Sequence, residues 1–261
     1  MPQTDIQLLI RVAKTAAALI LESGAETFRA EETVQHICQP FLTTPIEVMA
    51  LPTGVIITLH HDYTDYTSII RIKKRGINLA KLQLVNSISR QVSHGEISLL
   101  EAEKCLAKVQ ATKGISKIWL TLAVALSSGF FALLFSGTIT DFFIATFAGA
   151  CVQLVTFAFD NSGLSKFIKC IVAGALTALI ALIFTNVFQL GAMDKIIIGA
   201  IMPMLPGLPL TSAIRDTIQG DLISGVARGA EALLIAAALG VGVGIMLKLW
   251  LLFGGVMFSV V

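Results

Sequence analysis

Apolar and polar positions divide the chain into two regions with different rhythms. Up to about residue 117 the pattern alternates between helical and strand periods. Ile6, Leu9, Ile10, Ala13, Ala17 and Ile20 fall on one helical face, predicting a helix from Asp5 to Glu22. It reads as a packed amphipathic helix, with an interfacial helix on the membrane as the alternative. Ser23-Gly24 interrupts it. Ser23 and Glu26 have capping-box spacing, which predicts a second helix from Ala25 to Cys38. Three short β-rich runs follow: Ile46 to Leu51, Val55 to His60 and Tyr66 to Lys73. Pro52-Thr-Gly54 and Asp62-Tyr-Thr-Asp65 supply the turns between them. Two more helices are expected, Leu79 to Ser93 and one opened by the capping box Ser98 to Glu101 and running to about Thr112.

From Ile118 onward the chain is dominated by long apolar runs. Ile118–Ser136, Phe142–Phe159 and Phe167–Phe188 are each long enough to cross a bilayer. The run Ile196–Leu210 is short for a span. Extending it to Ile218 supplies the length but takes in Arg215-Asp216. A fifth span starts near Ser224 or Val226 and reaches Lys248. The apolar tail Leu249–Val261 either extends that helix or lies at the interface. The expected fold is therefore an α-helical integral membrane protein with five transmembrane helices, preceded by a small α+β cytoplasmic domain. The domains are residues 1–117 and 118–261.

Composition agrees with this division. The 261 residues are 55% hydrophobic and only 14% charged, with mean hydropathy +0.82. Soluble domains carry nearer a quarter charged residues. Thirteen of the 19 Lys+Arg and 11 of the 17 Asp+Glu lie before Ile118, which places the boundary near Lys117. A net charge of +2 implies no nucleic-acid partner. Cys38, Cys105, Cys151 and Cys170 form no CxxC and read as small buried hydrophobes in a reducing compartment. Neither they nor the His60-His61 pair match a metal-ligand spacing, and no cofactor is implied.

Cations also set the expected orientation. Lys113 and Lys117 precede the first span, Lys166 and Lys169 flank the second loop, and Arg215 and Arg228 the fourth; the first turn has none and the third loop has Lys195 alone. The positive-inside rule then puts residues 1–117 in the cytoplasm and the C-terminus outside.

The chemistry concentrates at Met202-Pro-Met-Leu-Pro-Gly-Leu-Pro-Leu210. Three prolines and a glycine there break the helix. Broken backbone at membrane depth survives only where protein or water satisfies it, and transporters build substrate sites from such breaks. If a helix restarts at Pro209, the free N–H groups of Leu210 and Thr211 present a positive end to an anion. Pro206, Gly207, Thr211, Arg215 and Asp216 are the substrate-binding candidates. Arg215 supplies a fork for a carboxylate. Asp216 is a partner for an ammonium or a proton, or for Arg228. The alternative is that Arg215-Asp216 is an ordinary cytoplasmic helix end held by positive-inside charge. Asp221, Arg228 and Glu231, with Glu22, Glu26 and Arg29 around Ser23-Gly24, are the coupling or gating candidates. Arg228 and Glu231 are three apart and can share a face, as an ion pair or as a coupling site. Gly225/Gly229, Gly240/Gly244 and Ala145/Gly149 carry the four-residue spacing that lets helices approach closely.

Ser23-Gly-Ala-Glu-Thr-Phe-Arg29, Pro52-Thr-Gly54, the proline-rich break with Arg215-Asp216, and Gly220-Asp221…Ser224-Gly225…Arg228…Glu231-Ala232 together resemble the threonine/serine exporter family. The likeness runs from about residue 5 to 250. It implies an inner-membrane exporter of small solutes: threonine and serine in fused members, succinate or related acids in split pairs. This chain resembles the first block of the split form. That implies a partner, a smaller membrane protein of four or five spans, with homo-oligomers also open. Two other classes compete. A membrane-anchored enzyme needs a nucleophile and base in residues 1–117, and no G-x-S-x-G, H-E-x-x-H or Cys-His motif occurs there. A non-transporting structural or sensory membrane protein is the other.

Overall fold

The computed structural model describes residues 3–253, apart from 43, 62, 113, 161 and 162. The expected turn residue Asp62, the loop cation Lys113 and the tail beyond Phe253 lie outside the described residues. The chain forms two compact units. One combines Met1–Gly114 with Leu208–Gly229; the other combines Ile115–Gly207 with Ala230–Val261. The first therefore takes in a stretch that the hydropathy pattern groups with the apolar half.

In the first unit, α1 (Gln3–Glu22) is the central element. The residues expected on its apolar face are all buried, and so are Val12, Ala16, Ala18, Leu19 and Leu21. A helix apolar nearly all round must be surrounded by other elements. Around it lie α2 (Thr27–Cys38), α3 (Leu79–Ser93), α4 (Leu99–Ala111) and a sheet of β1 (Ile46–Leu51), β2 (Gly54–His61) and β3 (Thr64–Arg71). The sheet is an antiparallel meander in the order β1-β2-β3. Leu51 pairs with Gly54 and His61 with Thr64, so both turns are tight. Tyr63 takes φ 60° in the second, and β3 starts two residues earlier than expected. Inward residues Val55, Ile57 and Leu59 of β2 are buried, as period-two alternation requires.

The junction between α1 and α2 departs from expectation. No Ser23–Glu26 capping box forms. Glu26 itself is the N-cap of α2 and makes no side-chain cap bond, because its carboxylate is turned to arginines. The chain turns at Gly24 with φ +88°, and a Cβ there would meet the Gly76 carbonyl oxygen at 2.6 Å. Glycine alone satisfies both demands. The capping box at Ser98 and Glu101 does form.

Among the described residues four helices are long and apolar enough to cross a membrane: Lys117–Leu134, Ile139–Ala158, Lys166–Val187 and Leu222–Leu252. The broken pair Met193–Met204 and Gly207–Ile218 makes five if it counts as one. These contain α5 (Lys117–Leu134), α6 (Ile139–Ala158), α7 (Lys166–Leu182, continued by a π turn to Val187), α8 (Met193–Ile201), α9 (Gly207–Ile218) and α10 (Leu222–Leu252).

In the second unit small residues set the helix spacing. Gly149 of α6 sits on Ser128 of α5, and Gly199 of α8 on the Ser128 carbonyl and Ala132. On α10 the close approach is made by Gly242, against the Ile171 backbone of α7, and Gly174 of α7 meets the Leu239 carbonyl. Gly240 and Gly244 have open space where a Cβ would go, so the contact face runs through Gly242, two residues from each of the expected pair. Asp141 completes a capping box with Thr138 and accepts the Ala192 N–H at 2.6 Å, anchoring the α7–α8 turn.

Candidate functional site

The break is a 3-10 turn, Met202–Met204, followed by extended Leu205. The helix α9 then begins at Gly207, two residues before Pro209. Pro209 thus lies in the first turn, where its missing N–H costs nothing. Thr211 is one turn in; its N–H lies past the free first-turn donors, and its hydroxyl bonds the Leu208 carbonyl oxygen at 2.9 Å. The expected pair of free donors at Leu210 and Thr211 does not hold: in a helix that begins at Gly207 both N–H groups lie past the free first-turn positions. Pro206 and Gly207 form the start of the helix.

Within the first unit, α9, the start of α10 and the start of α2 converge on a charged cluster. Glu26 Oε1 accepts from Arg215 Nη1 at 2.7 Å, and its other oxygen lies 3.7 Å from Arg29 Nε. Asp216 is fully buried. Its Oδ1 accepts from the Thr27 backbone N–H at 3.3 Å, and its Oδ2 lies 3.1 Å from Arg228 Nε. Arg228 Nη2 donates to the Ala25 carbonyl oxygen at 2.8 Å. Thr27 Oγ1 lies 3.2 Å from Asp216 Oδ1 and 2.9 Å from Asp221 Oδ2. A hydroxyl has one proton to donate, so Thr27 serves one of these carboxylates at a time.

Local sequence explains the geometry. Arg215 and Asp216 are adjacent on a helix, so their side chains diverge by about 100°. Arg215 is left 57% exposed on Glu26, while Asp216 points inward to Arg228. Gly220, with φ +95°, turns the chain, and the Asp221 N–H closes on the Asp216 carbonyl oxygen at 2.9 Å. Gly225 lets α10 reach α9: a Cβ there would meet the Ala213 carbonyl oxygen at 2.9 Å.

Arg215, Asp216, Asp221, Arg228, Glu26 and Arg29 are therefore brought together. Glu22 instead lines a groove with Arg71, Lys73 and Arg75. Glu231 meets Lys166 Nζ at 3.4 Å, and Arg228 turns to Asp216. Thr27 and Glu31 were missed as site residues. Glu31 Oε1 accepts the Ala50 N–H at 2.7 Å. Burial, followed by repulsion from Asp221, pushes its carboxyl above the usual range against that hydrogen bond. Thr27 lies inside the Ser23–Arg29 motif, but nothing in the sequence says that its hydroxyl faces two aspartates 189 and 194 positions away.

An α+β domain joined to several membrane-length helices defines a multi-pass helical membrane protein. A family described as "Putative threonine/serine exporter" matches residues 11–250. The chain belongs to this family, which is one of transporters, so the membrane-anchored enzyme reading falls away. It is 24% identical over 256 residues to the "Probable succinate transporter subunit YjjP" of Klebsiella aerogenes, covering 95% of this chain and 96% of that protein. Identity to the protein of the same description in Escherichia coli K12 is 26% over 264 residues, covering 97% and 100%. A "Probable threonine/serine exporter" of Mycobacterium tuberculosis is 22% identical over 250 residues, 93% of this chain but 46% of that protein. No solved structure matches the chain.

Proposed function

We propose that the chain is one subunit of a secondary transporter that exports a small carboxylate-bearing solute across the bacterial inner membrane. The solute class is an amino acid such as threonine or serine, or a dicarboxylate such as succinate. The observation that carries this reading is the Arg215–Glu26 pair. A guanidinium already holding a carboxylate at 2.7 Å, yet 57% exposed, is one on which a solute carboxylate can replace an internal one. Arg215 is the solute ligand and Glu26 the gate; Asp216, Asp221, Arg228 and Thr27 couple α2 to the α9–α10 corner. The relatives of matching length are named as transporter subunits, and the exporter of Mycobacterium tuberculosis is about twice as long. Both favour a second component, a smaller membrane protein of four or five spans. The cation distribution favours residues 1–117 in the cytoplasm.

The test is uptake of labelled succinate, threonine and serine into inverted vesicles containing this chain and its partner. One solute should accumulate above empty vesicles. Arg215→Lys keeps the charge but loses the fork, a loss of about 1.5–3 kcal/mol, or roughly ten- to a hundredfold in apparent affinity. Unchanged affinity and rate in Arg215→Lys would remove Arg215 as the ligand, and no accumulation of any solute would sink the transport reading.

A further inference from the structure

A second charged feature of the first unit has no role in the cluster above. The stretch Arg71–Lys81 holds Arg71, Lys73, Lys74, Arg75 and Lys81 and no acidic residue. Five positive charges from a chain total of +2 leave −3 for all the rest, so the excess of positive charge is local. These side chains line a groove of ≈ 710 Å³ whose one carboxylate is Glu22. Arg71, Lys73 and Arg75 also line an adjoining groove. Among the described residues no carboxylate forms an ion pair with Arg71, Lys73 or Lys74. Five cations gathered around a single carboxylate repel one another, and an external anion relieves that.

The strip is held in place. Gly76 N–H donates to the Glu22 carbonyl oxygen at 2.9 Å and Asn78 N–H to that of Ser23 at 3.1 Å, so the loop is tied to the end of α1. Asn78 caps α3 by accepting the Lys81 N–H at 3.0 Å. Two large apolar side chains stand out from this basic loop: Ile77 is 61% and Leu79 68% exposed. A site for a free phosphate needs the cations but has no use for Ile77 and Leu79. A lipid surface uses both, with headgroup phosphates meeting the cations and the apolar side chains entering the acyl boundary.

We propose that Arg71–Lys81 is a contact site for anionic phospholipid, seating this face of the α+β domain on a negatively charged membrane surface. The contact depends on neither the exported solute nor the Arg215–Glu26 gate.

The experiment uses the full chain in lipid nanodiscs, with native cysteines replaced and a fluorophore at Ile77→Cys. Nitroxide-labelled acyl chains report direct contact by quenching. In phosphatidylglycerol discs the fluorophore is quenched; in phosphatidylcholine discs it is not, and raising the salt concentration relieves the quenching. Lys73→Glu/Lys74→Glu/Arg75→Glu should raise the anionic lipid fraction for half-maximal quenching about tenfold, since each juxtamembrane cation adds its own attraction. The same fluorophore on an Arg11→Cys variant controls for folding and should be unaffected by the charge reversals. Absence of quenching in phosphatidylglycerol overturns the proposal, as does equal quenching in both lipids. Inorganic phosphate that protects the loop from hydrogen exchange in phosphatidylcholine discs, without quenching in phosphatidylglycerol, identifies a soluble-anion site instead and also overturns it.

Discussion

Arg228 Nε lies 3.1 Å from Asp216 Oδ2 at the corner between α9 and α10, with neither side chain more than 6% exposed. Two charges withdrawn from solvent this far depend on each other. Removing one leaves the other buried without its counter-charge, at a cost of about 3–5 kcal/mol. Asp216→Ala should therefore sharply lower the melting temperature of the purified chain in detergent. Asp216→Leu combined with Arg228→Met, which leaves no orphan charge, should recover at least half of the loss. A double variant no more stable than Asp216→Ala would mean that the pair is not what holds this corner.

Glu31 gives the same unit a pH dependence. Burial and Asp221 raise its carboxyl pKa in the folded protein. A carboxyl raised on folding favours the protonated form there. Its stabilising contribution is thus complete below the unfolded pKa and is lost as pH rises through the folded one. Glu31→Gln removes the charge and keeps an oxygen for the Ala50 N–H. It should match wild type at acid pH and become the more stable of the two towards neutrality. Parallel melting curves across pH check this, and a constant difference between the two proteins would contradict it.

Much of this architecture is legible because apolar spacing is a local signal. The buried face of α1, the three strands and the membrane-length helices follow from periods of 3.6 and two and from run length alone. What is not legible depends on partners distant in sequence. Ser23 and Glu26 have the spacing of a capping box, but Arg215 holds the Glu26 carboxylate and wins over the local bond. Gly240 and Gly244 have the spacing of a packing face. The approach falls at Gly242 because the position of α7 decides which side of α10 is covered. Arg215 and Asp216 were legible as a functional pair by type, but their division between Glu26 and Arg228 was not. The charges of 208–229 join the first unit because Ala25 and Glu26, just ahead of α2, and Thr27, its first residue, supply groups that satisfy them.

Gly242 offers a test of packing in the second unit. A Cβ at this position would overlap the Ile171 carbonyl and come within 3.0 Å of the Ala175 N. These are backbone atoms and cannot rotate away, so α7 and α10 must separate. Gly242→Ala should lower thermal stability by about 1–3 kcal/mol, as overpacking does. Gly240→Ala, with open space at its Cβ, should be neutral or slightly stabilising through helix propensity. Equal effects of the two substitutions, in yield and melting temperature, would refute the assignment of the contact face.

The gate makes the sharpest functional prediction. Glu26 Oε1 occupies the position on Arg215 that a solute carboxylate would need, and its other oxygen is 3.7 Å from Arg29. Glu26→Gln keeps the side-chain shape and an acceptor oxygen but removes the charge. Arg215 then exchanges a weaker internal partner for the solute. If the two carboxylates compete, apparent affinity in the vesicle assay should rise by roughly tenfold, the equivalent of about 1.4 kcal/mol. Maximal rate should fall, because closing the gate requires Glu26 to recapture Arg215. If the pair is only a structural tie between α2 and α9, Glu26→Gln costs stability and brings no gain in affinity. The two readings separate on one saturation curve, measured at matched protein levels beside Arg215→Lys. Tighter binding in Glu26→Gln with weaker binding in Arg215→Lys supports competition at a shared guanidinium. Weaker binding in both, tracking a lower melting temperature, reduces the pair to a tie.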